Sequence, residues 1–354
     1  LDAAGTDASF QDFHLAFAQD MKAVIHSNYG SADKVLSVQE VDKPTPNDDE
    51  VLVRVRAASM HADVWHVIEG VPLLLRLMGN GVSKPKRLIP GTDFAGVIES
   101  IGKNVTPFKP GDEVFGASKF GWVNGGAYAE YVAVPKDLVV LKPANVSFEQ
   151  AASVPTAGMI ALSNLGGASR QQGTRKILIN GAGGSTGTIA LQIAKSDGAH
   201  VTTVDCADKL PMLRALGADH VIDYATEDYL RNGERYDFIM DVISIRAPEE
   251  YKHALTDTGA YVPIGHAQYD SKTNRVLGSM PYFISLLIRG LLDPKKRSTM
   301  KMLHMRDALE IFRSLLESGK LTPMIGKTFS LSEVAEAIRC MQEGKTVGRI
   351  IITP

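Results

Sequence analysis

The apolar residues of this chain change their period partway along it. From Met21 to about Ser147 they alternate or run in short blocks of strand length, separated by turn-forming residues. Met21-Lys-Ala-Val-Ile25 opens this stretch, and Val51–Arg56 follows a Pro44-Thr-Pro46-Asn-Asp-Asp turn. Val97–Ile101, Glu113–Phe115 and Tyr128–Val134 complete it, with the turn Lys109-Pro-Gly-Asp112 between the first two. The pattern predicts a mainly antiparallel β unit over residues 21–147 with few helices.

Beyond about Phe148 short apolar strands take turns with helical spacing. The strands are Lys176–Asn180, His200–Val204, His220–Ile222, Tyr236–Met240 and Ala260–Ile264. Thr188–Asp197 and Lys209–Leu216 are the helices between them, and Pro211 falls in a first turn, where its missing N–H costs little. This alternation predicts an α/β unit over 148–306, a parallel sheet wound by right-handed crossovers. The tail, 307–354, reads helix (Ala308–Glu317), strand (Lys327–Ser330), helix (Glu333–Gln342) and strand (Arg349–Thr353). Its strands are expected to fold back onto the first unit. Residues 1–20 lack a clear pattern before Met21 and are read as a vector or processing remnant.

Composition narrows the function. The 354 residues suit two domains, and a net charge of −2 argues against a sequence-independent grip on nucleic acid. The short basic run Lys295-Lys296-Arg297 reads as a solvated turn. Two cysteines, Cys206 and Cys340, cannot build a disulfide framework or a four-cysteine zinc site, which fits a reducing, cytoplasmic setting. No basic region followed by an apolar run opens the sequence, so a signal peptide is not expected. The most lipid-like stretch, Val276–Leu292, is interrupted by Pro281 and Arg289 and falls short of the roughly 20 apolar residues of a span, so no membrane partner is expected. The apolar loop from Val71 to Arg87 reads as a substrate lid or a subunit contact.

The strand Lys176–Asn180 runs into Gly181-Ala-Gly-Gly-Ser-Thr-Gly187, where a helix begins. Registered as Ala182-x-Gly184-x-x-Gly187, it is an alanine-led form of the three-glycine dinucleotide fingerprint. A bare Gly184 lets backbone approach a pyrophosphate, Gly187 lets helix and strand pack closely, and the helix N-terminus attracts phosphate. Gly181, Gly183, Gly184, Ser185, Thr186 and Gly187 are therefore cofactor-binding candidates. Asp205, about 18 residues past Gly187, closes the second strand, where an acidic group accepts hydrogen bonds from ribose hydroxyls. It would repel a 2′-phosphate, and only Lys209 could offset that, so NAD(H) is favoured over NADP(H). The nicotinamide end is expected past the later strands, near Asp241 and Val242 and near Ile264, Gly265 and His266.

With these residues in place, the chain from Met21 onward resembles the medium-chain dehydrogenase/reductase superfamily, in its zinc-independent quinone oxidoreductase branch. The resemblance rests on Lys43-Pro-Thr-Pro46, Pro90-Gly-Thr-Asp-Phe-Ala-Gly96, Pro110-Gly-Asp-Glu-Val-Phe115, Gly126-Ala-Tyr-Ala-Glu-Tyr131, Ala151-Ala-Ser-Val-Pro155, Leu216–Tyr224 and Gly348-Arg-Ile-Ile-Ile352. It implies a GroES-like catalytic domain beside a Rossmann domain. It also implies that the places of the catalytic zinc ligands in alcohol dehydrogenases of the superfamily are taken here by His61, Thr92-Asp93 and Thr156. His61 and Asp93, with Thr156 as a poor third, fall short of the three ligands catalytic zinc wants, so no metal is expected. Thr156 is then placed among the cofactor-binding candidates. Branch members usually carry Asn at the place of His61 and Gly-Gly-Val at the place of Gly184-Ser185-Thr186.

Without a metal, hydride transfer suits acceptors that delocalise charge themselves, such as quinones and α,β-unsaturated carbonyls. His61 is the catalytic candidate, as a hydrogen-bond donor to the acceptor oxygen, or else a histidine satisfied by its neighbours. Trp65, Phe120 and Trp122 are candidate pocket walls, with simple packing as the alternative. Two other readings stay open: a non-catalytic dinucleotide-binding or redox-sensing module, and a metal-dependent alcohol dehydrogenase using His61. The strand near Ala260–Ile264 hints at a homodimer.

Overall fold

The structure, a computed structural model, describes residues 20–77, 81–86, 88–118, 125–165, 175–265, 275–278, 281, 284, 303–344 and 346–354. The first region contributes β1 (Asp20–His26), α1 (Ala32–Val35), β2 (Leu36–Asp42), β3 (Glu50–Ser59), α2 (Ala62–Glu69), β4 (Asp93–Ile101), β5 (Glu113–Ala117), β6 (Tyr131–Pro135) and β7 (Val139–Leu141). Then follow α3 (Phe148–Ala152), α4 (Pro155–Leu165), β8 (Lys176–Asn180), α5 (Ser185–Ser196), β9 (His200–Asp205), α6 (Leu210–Ala215), β10 (His220–Asp223), β11 (Tyr236–Asp241) and β12 (Leu255–Pro263). The tail adds α7 (Met305–Glu317), β13 (Ile325–Ser330), α8 (Val334–Gln342) and β14 (Arg349–Thr353).

Strands β8 to β12 form one parallel sheet in the order β10-β9-β8-β11-β12. The chain leaves β8 to one side and returns to its other side at β11, so the order reverses there. The carboxyl ends on either side of that reversal leave a crevice, the general place for ligands in sheets of this kind. The strands are buried along nearly their whole length, because α5 and α6 cover one face and Tyr229, Leu230, Tyr251 and Ala254 cover the other. Helix α5 packs on one side through Ile189, Ala190, Ile193 and Ala194.

The other large sheet has the order β13-β14-β3-β4-β5-β7, with β6 pairing β3. The final strand β14 runs antiparallel to β3, Ile351 opposite Ser59 and Ile352 opposite Ala58, and parallel to β13. The tail strands thus sit in the first region's sheet. Helix α7 reaches the other way: Phe312 lies against Gly158 of α4, where an added Cβ would stand 2.7 Å from the ring. Two large cores result, one under the parallel sheet and α7 and one inside the β-rich half. The expected strand Tyr128–Val134 is shorter than its alternation suggests. Tyr128 is fully buried, with its hydroxyl donating to Ser59 O at 3.3 Å, and ladder pairing begins at Tyr131.

Candidate active site

A cleft of about 610 Å³ opens between the two halves. The carboxyl ends of β8, β9 and β11 form one wall; Met60, His61 and Ala62, with Gly348–Ile350, form the other. The glycine loop is its floor. Gly181 leaves β8 at φ +78°, the left-handed region that a residue without Cβ adopts freely. A Cβ on Gly187 would lie 2.5 Å from Ala182 Cα, which is why the helix can start so close beneath the strand. A Cβ on Gly184 would meet only Gly181 O, at 3.7 Å, so this residue borders open space at the N-cap of α5. Thr188 N–H makes the early helical bond, to Gly184 O (2.9 Å). The amides of Ser185, Thr186 and Gly187 precede it and point toward the N-terminal end, where they and the helix dipole can hold a diphosphate. The residues present fit a dinucleotide.

Of the residues singled out in the sequence, His61, Gly181, Gly184, Ser185, Thr186, Asp205, Lys209 and Val242 line the cleft. Gly183 lies behind it, its N–H donating to Asp205 Oδ2 (2.7 Å) and its Cα packed on the Lys209 side chain. The Asp205 carboxylate also accepts from Cys206 N–H (2.9 Å) and pairs with Lys209 Nζ (3.3 Å), which donates in turn to Gly344 O (3.2 Å). Asp205 therefore braces the loop as well as lining the cleft. Burial and the adjacent Asp205 carboxylate push the thiol of cleft-lining Cys206 upward, so it is protonated at neutral pH and a poor nucleophile.

Four expectations are corrected. Trp65 does not wall the cleft: its ring stacks on His66 (4.3 Å between centroids) and packs into the β-rich core, because α2 turns that face inward. Asp241 does not reach the cofactor side. It is fully buried and accepts hydrogen bonds from Asn180 Nδ2 (2.8 Å), Tyr251 OH (2.5 Å), Tyr261 OH (3.0 Å) and Ser244 N–H (2.8 Å). Burial and this carboxylate raise the Tyr251 phenol far above its ordinary range, so it stays protonated and donates. The tight turn that results holds Ser244 at φ +54° and presents Val242 and Ile243 to the cleft instead. Ile264 and Gly265 stand behind Val242, Ile264 N–H bonded to Asp241 O (2.8 Å) and Gly265 packed on the Val242 carbonyl. Thr156 is buried beneath the site at the start of α4 and is bonded to Asp93. Phe120, Trp122 and His266 lie outside the described residues.

The contact at Thr156 bears on metal binding. Asp93, 1% exposed, receives Thr156 N–H at 3.0 Å and the Thr156 hydroxyl, and Arg349 Nη2 stands 3.1 Å from its Oδ2. Arg349 Nε also donates to Ser59 Oγ (3.1 Å). The positive charge that a divalent ion would bring to this carboxylate is already supplied by a guanidinium. Among the described residues no group of three or more His, Cys, Asp or Glu is placed to hold a metal. The donor set does not fit catalytic zinc.

Sequence reasoning did not place Arg349 or Tyr224 in the cleft. Tyr224, just after β10, is 58% exposed there and offers a flat aromatic face. Both residues fall inside motifs quoted above, but nothing local in those motifs says which way they point.

Residues 47–144 match the family described as alcohol dehydrogenase GroES-like domain, and residues 216–352 match the one described as zinc-binding dehydrogenase. The chain is 30% identical to the chloroplastic quinone-oxidoreductase QR1 of Triphysaria versicolor, covering 94% of this chain and 98% of that protein. It is 31% identical to the chloroplastic NADPH-dependent alkenal/one oxidoreductase of Arabidopsis thaliana, over 78% of this chain and 73% of that one. The solved quinone oxidoreductase of Coxiella burnetii superposes with a TM-score of 0.78 at 26% identity, covering 95% and 100% of the two chains. With this fold, this glycine loop and these relatives, the chain belongs to the medium-chain dehydrogenase/reductase superfamily, in its quinone oxidoreductase branch.

Proposed function

We propose that this protein is a zinc-independent NAD(P)H-dependent oxidoreductase that reduces quinones or α,β-unsaturated carbonyl compounds. The observation that carries this reading is the pairing of an open glycine cradle with a metal-ligand position closed by Arg349 and Thr156. A nicotinamide dinucleotide held by Gly184, Ser185 and Thr186 would supply a hydride. With Asp93 already paired to Arg349, the site offers no ready place for a divalent ion to polarise the oxygen of a simple ketone or alcohol, whereas a conjugated acceptor spreads the developing charge over its own π system. The names of the two plant relatives, a quinone oxidoreductase and an alkenal/one oxidoreductase, support the same class.

The chain's own residues divide the work. Gly184, Ser185 and Thr186 hold the diphosphate at the head of α5, and Val242 and Ile243 border the path toward the nicotinamide. His61 stands in the opposite wall, and its segment is fixed by Met60 N–H to Ile350 O (2.9 Å). From there its ring donates a hydrogen bond to the acceptor oxygen as charge builds. Absorbance of the reduced cofactor tests both claims, its loss followed with quinones, alkenals and simple ketones and its formation from the oxidised cofactor followed with simple alcohols. Turnover is expected with the first two classes and not with simple ketones or alcohols, and His61→Leu, which removes the donor, should lower kcat by about a hundredfold, the low end for a positioned proton donor. Silence across the conjugated panel despite cofactor binding would sink the proposal, and full turnover by the variant would remove His61 from it.

For the cofactor we propose a preference for NADH. Asp205 presents a carboxylate at the end of β9, and the nearby ammonium of Lys209 is shared with that carboxylate and the Gly344 carbonyl. A 2′-phosphate would meet the carboxylate and compete for the ammonium, which should weaken NADPH relative to NADH by about tenfold. Fluorescence titration of both cofactors measures the ratio, and tighter NADPH would reverse the assignment. Among the described residues β12 edges its sheet; pairing of two such edges is the homodimer we propose.

A further inference from the structure

Large apolar side chains are exposed mainly in two places among the described residues. Tyr224, Ile243 and Ile245 line the cleft. The second place is a patch of Leu73, Leu77, Val82, Val276 and Leu277, between 38% and 70% exposed. It joins two stretches distant in sequence. Leu73 N–H donates to Arg275 O (2.7 Å) and Leu74 N–H to Val276 O (3.0 Å), while Gly81 N–H donates to Arg76 O (3.1 Å) and brings Val82 alongside. Isolated exposed apolar residues need no explanation, but a contiguous group on a protein surface marks something it touches.

The charges beside the patch narrow what that is. Lys84, Lys86 and Arg275 are exposed there. From Gly70 to Gly91 the chain contains no Asp or Glu, in a protein whose net charge is −2. We propose that this patch docks on the surface of an anionic phospholipid bilayer, apolar side chains entering the interfacial layer and the three cations meeting the headgroup charge. A second copy is the weaker partner, because a two-fold contact would set the patch against itself and bring like charges together. No described helix is long and apolar enough to cross a membrane, so the association is peripheral. It revises the sequence-based expectation of no membrane partner, which rested on the lack of a span.

Sedimentation of the intact protein with vesicles tests this, using phosphatidylcholine alone and an equal mixture with phosphatidylglycerol. The wild type should pellet with the mixture, stay in the supernatant with phosphatidylcholine, and be released as salt rises. Lys84→Gln with Lys86→Gln should lower partition by about fivefold per lysine, about twenty-fivefold together. Leu77→Ser with Val82→Ser should weaken binding while leaving its salt dependence in place. All variants should keep wild-type cofactor affinity, since none of these residues touches the cleft. A wild type that ignores the anionic vesicles, pellets equally with both kinds, or is matched by its variants overturns the proposal. Loss of oligomer in the variants without vesicle binding by the wild type assigns the patch to a contact between copies and overturns it too.

Discussion

Replacing Gly184 by Asp is expected to weaken dinucleotide binding by about a hundredfold or more while the fold stands. The backbone there has φ −85°, which any residue adopts, and a Cβ would meet nothing closer than Gly181 O at 3.7 Å. The new carboxylate would instead project into the space reserved for the diphosphate, at the end of α5 that attracts anions. Two like charges about 4 Å apart in a partly screened site cost about 4 kcal/mol. Solvent access trims that figure, and about 3 kcal/mol already corresponds to roughly two decades in affinity. Gly187→Val is the contrasting control: its Cβ would sit 2.5 Å from Ala182 Cα, so it should damage folding before binding can be measured. Calorimetric titration of the Gly184 variant, with its thermal midpoint alongside, separates the two effects. Affinity within threefold of wild type would mean that the cradle is not where the diphosphate lies.

Arg349→Met is expected to cost about 3–5 kcal/mol of stability, the usual penalty for stripping the partner from a buried charge. Asp93 is 1% exposed and would keep its bonds from Thr156, but lose the guanidinium 3.1 Å away. The carboxylate stands at the N-terminus of α4, and that helix end softens the loss without replacing a full charge. Ser59 Oγ would lose its bond from Nε as well. Denaturant unfolding should show the drop, and adding Asp93→Asn to the same chain should recover much of it by removing the stranded charge. A single variant as stable as wild type, or a double variant worse than the single, would show that Arg349 does not compensate the buried Asp93 charge in the way described.

The contrast between these two sites also shows what a sequence can disclose. The glycine loop was legible because each of its cues is local: a strand, three residues lacking bulk at set intervals, and a helix, all within a dozen positions. The alternation of periods likewise gave the parallel sheet, since each strand must be apolar on both faces. Asp93 and Arg349 are 256 residues apart, and no pattern in either neighbourhood announces the other. Trp65 and Asp241 misled for a related reason. An aromatic beside a candidate catalytic histidine, or an acid ending a strand, suggests a site, yet the direction of the side chain is set by helix rotation and by a turn. In α2 the indole goes to the core; after β11 the carboxylate goes beneath the sheet to Tyr251 and Tyr261. Tail strands that lacked a place in the parallel sheet were a sound cue in themselves, because an apolar strand must pair somewhere, and β3 offers the free edge.

Gly348 N–H is bonded to Gly183 O at 3.2 Å, and Gly184 bridges Gly348. The two halves are therefore stitched by main-chain pairing at the base of the crevice, beside the glycine loop, and any motion that parted them there would have to break it. A widening of the cleft that kept this pairing would have to take place farther from the loop, toward the mouth.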